Sequence, residues 1–541
     1  MARMSCGEAT MRLLARYGVR AVFGVPGVHT LEFCRGLRDP GTKDDGRLLH
    51  IQTRNEEGAA YAAEGWARAT GEPGVALVIS GPGVTNAATG LGDAWCASLP
   101  MLLISAEPPS DSLGKGWGVL HEITEQRAVT APLTAFSATA HRPEDVPGLL
   151  ARAFTLFSSA RPRPVHISIP TDVQAMPVDE EWEAVTLPAR PVPEARVLAE
   201  AAERLAAARR PVIVAGGGAV EAGKGIADLS ERLAAPVITT TAGKGIVPCD
   251  GPLALGGGLS RAAGRELLAR ADVVLALGTE LSETDSFVPR LDIPGEIIRV
   301  DIDPAKLNDL YPAQLGLVGD AAAAAEALAD RLAAHRPAPD AAAARQAEVS
   351  AARAETLAPQ TDSEARHLRL LSALREVLPD EAILSGDACQ PVYTAAFAWP
   401  ARRPRRFFFP AGFCTLGAAL PQAIGAKLAE PETPVVALVG DGGFMFTMPE
   451  LLTAAQLGLA LPVILWDNRG LKQIRDDLAA IGVQPVGVDP LNPDFTALAR
   501  ACHCHAAAPD DEVGFRAAVT AALAADRPTL IHVTEGAGWL A

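Results

Sequence analysis

An acid between glycines opens the stretch "GDGGFMFTMPELLTAAQLGLALPVILWDN" (440–468), and an amide closes it. Asp441 and Asn468 both offer hard oxygen atoms of the kind Mg²⁺ selects, and Gly440, Gly442 and Gly443 let the backbone come close to an anion. The chemistry this suggests is a metal ion holding a diphosphate. The elements that would bring the two residues together are legible around them. "PVVALV" (434–439) and "LPVILW" (461–466) read as buried strands, and "MPELLTAAQLGL" between them has helical spacing. In such a β-α-β unit the carboxyl ends of the parallel strands share one edge, where open α/β sheets bind ligands. The N-terminus of the following helix favours negative charge there. Alone, Gly-Asp-Gly is an ordinary strand-to-helix turn; the Asn at the matching strand end is what points to a site.

A second pair of acids opens "RNEEGAAYAAEGWARATG" (54–71). Ala, Tyr and Trp recur on one face of this segment, so most of it reads as a core-facing helix. Glu56 and Glu57 would both sit in its first turn, where any carboxylate is favoured by the helix dipole. Spacing alone does not separate a catalytic acid from a first-turn acid here.

These segments belong to a chain of 541 residues, too long for one core, with an apolar fraction of 49% that suits a globular protein. The net charge of −16 argues against nucleic acid and anionic membrane surfaces as main partners. No apolar run is long enough to span a bilayer, and "MARMSCGEATMRLLARYGVR" reads as an amphipathic helix without the apolar core of a signal peptide. Eight scattered cysteines suit reduced thiols, and a cytoplasmic location is expected. "CHCH" (502–505) has poor spacing for a tetrahedral metal site and reads as chance composition near a turn.

Three α/β stretches are separated by two Pro/Ala/Glu-rich passages, 170–196 and 333–360. The expected domains are 1–172, 190–335 and 360–541, each a doubly wound parallel sheet of the α/β class. The middle block opens with "RPVIVAGGGAVEAG", strand, glycine turn and helix. Its glycines do not have the GxGxxG spacing, and tight strand-to-helix turns use glycine without any nucleotide.

Gly-Asp-Gly followed by Asn at this distance resembles the signature of thiamine-diphosphate enzymes. The resemblance implies the thiamine-diphosphate-binding fold, with Mg²⁺ held by Asp441, Asn468 and the carbonyl of Gly470. Asp467 stands where many relatives have a second Asn, and leaves that ligand set in place. "RNEEGA" is similar to the Arg-His-Glu-Gln-Gly-Ala context of the acid that drives the cofactor's own proton relay, which makes Glu56 the catalytic acid. Asn55 and Glu57 depart from that pattern. "PAGFCTLGAALPQAIGA" (410–426) resembles the loop that bends thiamine, with Leu416 under the bend and the Cys414 carbonyl and Leu416 amide on the pyrimidine. "GDACQPVY" (386–393) resembles a diphosphate-contacting turn, with Gln390 as its side chain. In this family the two halves of a site come from different subunits, so a homodimer or homotetramer with sites at the subunit interface is implied. Acetolactate synthases, which the layout resembles, hold FAD near an Arg-Phe pair; the matching stretch "GTELSETDSF" (278–287) has no Arg, and FAD is not expected.

Within the family, "FGVPGVHTLEF", "GPGVTNAATG", "LHEITEQ" and "IRDDLAAIGVQPVGVDPLNPDF" resemble the 5-guanidino-2-oxopentanoate (2-ketoarginine) decarboxylases over essentially the whole chain. That branch implies decarboxylation of a 2-oxo acid to an aldehyde. His29 and His121 are the candidate donors of the proton that must return once CO₂ has left. Glu122, Glu125, Asp476 and Asp477 are carboxylates available to a guanidinium tail, although Leu471 and Gln473 depart from the branch, with Lys472 and Arg475 adjacent. The alternative is an acetolactate-synthase-like carboligase that joins 2-oxo acids. A third reading, a non-catalytic partner subunit, sits poorly with Glu56, Asp441 and Asn468 all being present.

Overall fold

The computed structural model describes residues 4–541. It divides into two compact units, one formed by Met1–Ala189, Gly412–Pro509 and Ala517–Val533, the other by Arg190–Ala411, Asp510–Arg516 and Thr534–Ala541.

The first unit contains a seven-stranded sheet in the order Leu37–Arg38, Leu48–Gln52, Ala21–Gly24, Gly74–Val78, Met101–Glu107, Val165–Pro170, Phe136–Thr139. Every neighbouring pair is parallel. The short apolar runs are buried along their length, as expected for strands covered on both faces. The chain enters this sheet at Ala21–Gly24, crosses to the edge strand Leu37–Arg38, steps back in through Leu48–Gln52, and passes to Gly74–Val78 on the other side. This is a topological switch point, and the loops after these two strands carry His29 and Ser80.

The same unit holds strands in the order Val435–Gly440, Pro462–Asp467, Thr529–Thr534, His505–Ala507, the first two and the last two paired in parallel. The helix expected in "MPELLTAAQLGL" forms over Glu450–Gln456, and a further short helix, Asp441–Thr447, precedes it, the two kept apart at Pro449 because proline lacks the amide hydrogen a helix interior needs.

Helix Glu56–Thr70 forms as its ends dictate. Asn55 caps it by accepting from the Glu57 amide at 2.8 Å, and Gly71 ends it at φ +77°, a conformation glycine takes without strain. It packs against helix Ala419–Ala429 at backbone range. A Cβ on Gly65 would lie 2.0 Å from the Gln422 carbonyl oxygen, and one on Gly425 would lie 1.9 Å from that of Ala62. Where they meet, a buried polar cluster ties three helices together. Arg68 pairs with Glu64 at 2.6 Å and reaches Asp93 at 3.5 Å, while Gln422 donates to Asp93 at 3.2 Å. Burial, then the charge of Asp93, pushes the Glu64 carboxyl well up.

The second unit contains a six-stranded parallel sheet, ordered Ala254–Gly256, Val237–Thr239, Pro211–Ala215, Val273–Leu277, Glu296–Asp301, Leu315–Val318, with an apolar cluster on each face. Its glycine turn is filled by its own chain. The Gly218 amide donates to the Gly278 carbonyl at 3.0 Å, and a Cβ on Gly216 would lie 2.4 Å from the same oxygen. Ile383–Gly386 and Phe407–Phe408 pair in parallel in this unit. The passage 333–360 holds the helix Pro339–Leu357, anchored by Arg353 on the Gly251 and Ala254 carbonyls. Of the passage read as a linker, 170–196, the first part instead forms helix Thr171–Ala175 and strand Pro177–Val178, which pairs with Met4–Ser5, while residues 179–194 carry no helix or strand. Among the described residues no helix is long and apolar enough to cross a membrane.

Candidate active site

Asp441 follows strand Val435–Gly440 and begins the next helix, 1% exposed. Its Oδ2 accepts from the Gly470 amide and from Asn492 Nδ2, both at 2.7 Å. Two donors on one oxygen fix the carboxylate and aim Oδ1 inward. There, one terminal atom of the Asn468 amide lies 3.2 Å from Asp441 Oδ1 and 2.8 Å from the Gly470 carbonyl oxygen. With nitrogen in that place the amide donates to both. With oxygen in that place it stands beside two further oxygens, at separations close to the ~2.9 Å between neighbouring ligands of an octahedral Mg²⁺. The donor set therefore fits a small divalent cation, which Asp441, the Asn468 amide oxygen and the Gly470 carbonyl would hold. Gly470 is at φ +129°, and a Cβ there would lie 2.2 Å from the Val488 carbonyl oxygen.

Asp467, the departure from the family pattern, points elsewhere. It accepts from His532 Nε2 at 3.0 Å and from the Arg469 amide at 2.9 Å. Burial works to raise its pKa, but these donors hold the carboxyl below its ordinary value. Asp441 moves the other way, raised by burial against the donation from Asn492. Among the described residues no group of three or more His, Cys, Asp or Glu side chains is placed to hold a metal, and Cys502 and Cys504 are buried free thiols on either side of a turn at His503.

Helix Glu56–Thr70 separates its two leading acids. The Glu56 carboxylate, 8% exposed, accepts from Asn86 Nδ2 at 3.0 Å, beside the turn that starts helix Pro82–Cys96. Glu57 instead receives the Tyr61 hydroxyl at 3.3 Å, and burial raises its pKa. The backbone before Glu56 is held from the other sheet's side: Glu450 accepts the Arg54 amide at 2.9 Å and the Asn55 amide at 3.1 Å. A Cβ on Gly58 would lie 2.3 Å from Glu450 Oε1, which is why a glycine follows the two acids.

The loop before helix Ala419–Ala429 also lies in this unit. Cys414 takes a left-handed φ of +54°, and Thr415 meets the Tyr61 hydroxyl at 2.8 Å. Leu416 is half-buried, and Gly417 at φ +91° accepts from Thr447 at 2.6 Å. Gln390 opens helix Gln390–Ala398 in the second unit.

His29 and His121 come together. Their ring centroids are 5.1 Å apart at 82°, edge to face. His29 Nδ1 lies 2.5 Å from the Ser80 hydroxyl. Burial, then the second imidazole, lowers the His29 pKa, so it holds a proton less readily than a free histidine. His121 sits at a left-handed φ of +61°.

The expected carboxylates for a cationic tail fare unevenly. Glu122 is consumed by its own loop, accepting amides from Gly116 at 2.8 Å, Trp117 at 3.3 Å, Gly118 at 2.6 Å and Val119 at 3.2 Å. Glu125 pairs with Arg127 at 3.0 Å, and Asp477 accepts from Gln473 at 3.0 Å. Ser80, Asn86, Glu450 and Asn492 were not singled out from the sequence. Each acts on a residue far away in the chain, and local patterning carries no sign of that.

Three models of thiamine pyrophosphate enzymes match the chain: the N-terminal TPP binding domain over residues 4–129, the central domain over 198–328 and the C-terminal TPP binding domain over 387–533. A probable 2-ketoarginine decarboxylase of Pseudomonas aeruginosa is 52% identical over 511 residues, covering 94% of this chain and 90% of the relative. A probable acetolactate synthase large subunit of Methanocaldococcus jannaschii is 34% identical over 496 residues, covering 87% and 81%. The acetolactate synthase isozyme 3 large subunit of Escherichia coli is 31% identical over 526 residues, covering 93% and 89%. With three family domains in order and relatives aligned over most of both chains, this chain belongs to the thiamine pyrophosphate enzyme family.

Proposed function

We propose that the chain is a thiamine-diphosphate- and Mg²⁺-dependent decarboxylase of 2-oxo acids, with 5-guanidino-2-oxopentanoate as the leading substrate and an aldehyde as the product. The observation that carries this reading is the imidazole pair, His29 and His121 at 5.1 Å on the switch-point edge of the first sheet. It is supported by similarity to a relative named as a probable 2-ketoarginine decarboxylase. Thiamine diphosphate, when bound, supplies the carbon nucleophile and the electron sink for loss of CO₂.

The chain's own residues would divide the remaining work. Asp441, Asn468 and the Gly470 carbonyl would hold Mg²⁺, and the glycine turn around Asp441 would take the diphosphate. Leu416 and the backbone at Cys414 would seat the pyrimidine. Glu56 would exchange a proton with the pyrimidine nitrogen, its position kept by Asn86 and by the Glu450 clamp on the preceding amides. His29 would give a proton to the substrate carbon that has lost CO₂, with His121 beside it. A carboligase must instead keep that carbon free for a second carbonyl. The domains are taken as 1–172, 190–335 and 360–541, the assembly as a homodimer or homotetramer with sites at the subunit interface, and the location as cytoplasmic.

The acetolactate-synthase-like reading remains as the second, because two of the relatives above are named as such synthases. Incubation with pyruvate, and separately with 5-guanidino-2-oxopentanoate, in the presence of thiamine diphosphate and Mg²⁺ distinguishes the two. Aldehyde and CO₂ from the guanidino acid support the proposal; acetolactate from pyruvate as the main product overturns it.

A further inference from the structure

The two imidazoles do not hold each other in place; one short turn does. It follows strand Gly74–Val78 and runs through Ile79, Ser80 and Gly81 into helix Pro82–Cys96. Ser80 is fully buried, and its hydroxyl lies 2.5 Å from His29 Nδ1. The His29 turn packs on the neighbouring residue: a Cβ on Gly27 would lie 2.4 Å from Ile79 Cγ2. Gly81, at φ +59°, faces the other imidazole's backbone, since a Cβ there would lie 2.5 Å from the His121 carbonyl oxygen. Behind the turn, buried Gln126 accepts the Gly81 amide at 2.9 Å and donates to Ser105 at 3.1 Å and to the Ala106 carbonyl at 2.8 Å. The turn is thus fixed to the strand Met101–Glu107 before either histidine is considered.

We propose that Ser80 is the positioning residue of the imidazole pair: its hydroxyl holds His29 Nδ1 and so selects Nε2 as the nitrogen that carries the exchangeable proton. This rests on the reading of His29 as proton donor given above. The argument is chemical. Only one of two imidazole nitrogens can face the reacting carbon, and the partner of the other sets the tautomer and the ring's aim. A serine hydroxyl can both donate and accept. When His29 is charged, Nδ1–H donates to Ser80, and it goes on donating once Nε2 has given its proton away; in the neutral tautomer that carries its proton on Nε2, Ser80 turns and donates to Nδ1. The contact survives both halves of the cycle, whereas a carboxylate in this place would favour only the charged form. In the step itself the Nε2–H bond breaks, a C–H bond forms on the carbon that lost CO₂, and water reprotonates Nε2.

The test uses the full chain and two readouts. The first is carbethoxylation of His29 by diethyl pyrocarbonate in cofactor-free protein, followed by peptide mass spectrometry, since the reagent attacks an unprotonated ring nitrogen. Ser80→Ala, which frees Nδ1, should raise the His29 rate roughly threefold or more, and Ser80→Thr should return it toward wild type. Ser80→Cys, close in shape and weak as a hydrogen-bond partner, gives the same comparison with packing kept. The second readout is turnover of the loaded enzyme: Ser80→Ala should lower kcat on the order of 10-fold with KM changed by less than about twofold, and Ser80→Thr should recover most of it. Wild-type His29 reactivity in both Ser80→Ala and Ser80→Cys overturns the positioning role. Altered reactivity with wild-type turnover in both Ser80→Ala and His29→Ala leaves the contact standing and overturns the proton-donor reading on which the proposal rests.

Discussion

Two glycine-rich turns at strand ends look alike in the sequence and do different work. Around Asp441 the glycines clear space beside a carboxylate fixed through one oxygen, whose second oxygen faces the Asn468 amide. Around Gly216–Gly218 the cleared space is taken by the chain's own Gly278 and Thr279. Glycine in such a turn says that something approaches the backbone closely. What approaches is decided by the residues at the neighbouring strand end: an Asn in one case, a Gly-Thr in the other.

The largest effect expected from this contrast is at the first turn. Asp441→Ala removes the fixed carboxylate and should abolish detectable turnover, with thiamine diphosphate and Mg²⁺ no longer binding by calorimetry at concentrations that saturate the wild type. Saturable Mg²⁺-dependent cofactor binding in this variant would remove the Asp441 turn from the site. Glu56→Gln comes next, with turnover lower by on the order of 10²-fold and cofactor binding retained, because the shape is kept and the proton acceptor is lost. Exchange of the cofactor's reactive proton at the wild-type rate would contradict the role. At the second turn, Gly217→Ala puts a Cβ 3.0 Å from that of Ala242, and the expected result is a modest fall in melting temperature with kcat within about twofold of wild type. A large loss of turnover there would mean that the second turn also serves the reaction.

The smallest effect concerns the interior behind the Ser80 turn. His166 is fully enclosed, bonded to Ser105 and Thr130 at 2.7 Å each, and burial pushes its pKa down from 6.5 to about 3. The unfolded chain therefore takes up a proton near pH 6.5 that the folded chain refuses until about pH 3. Stability from this group is full above pH 6.5 and falls as pH drops through that window, by at most ~1.4 kcal/mol per unit. His166→Gln should flatten the acid limb of the stability profile in urea denaturation; an unchanged slope would show that other groups dominate it.

Much of this was legible before the fold. The parallel strands, the glycine turns and the meeting of Asp441 with Asn468 follow from apolar runs and strand-end positions, which are local properties. Glu56 over Glu57 was not available from spacing, since both are first-turn acids; the family resemblance chose between them, and the structure separates them by Asn86 and Tyr61. Glu122 shows the opposite limit. A carboxylate next to His121 invites a substrate role, but four backbone amides that no pattern announces already surround it. Ser80 and Glu450 were missed for the same reason: their partners are set by chain crossing, not by neighbours in sequence.

The central claim is that the imidazole pair commits the enzyme to returning a proton rather than joining a second carbonyl. The most direct measurement is product partition from 5-guanidino-2-oxopentanoate with thiamine diphosphate and Mg²⁺, in wild type and in His29→Ala, with an added aldehyde as competing acceptor. The account predicts aldehyde with stoichiometric CO₂ in the wild type, and in His29→Ala a shift of several-fold toward the carboligated product. An unchanged partition in His29→Ala, or carboligated product already dominant in the wild type, would contradict it.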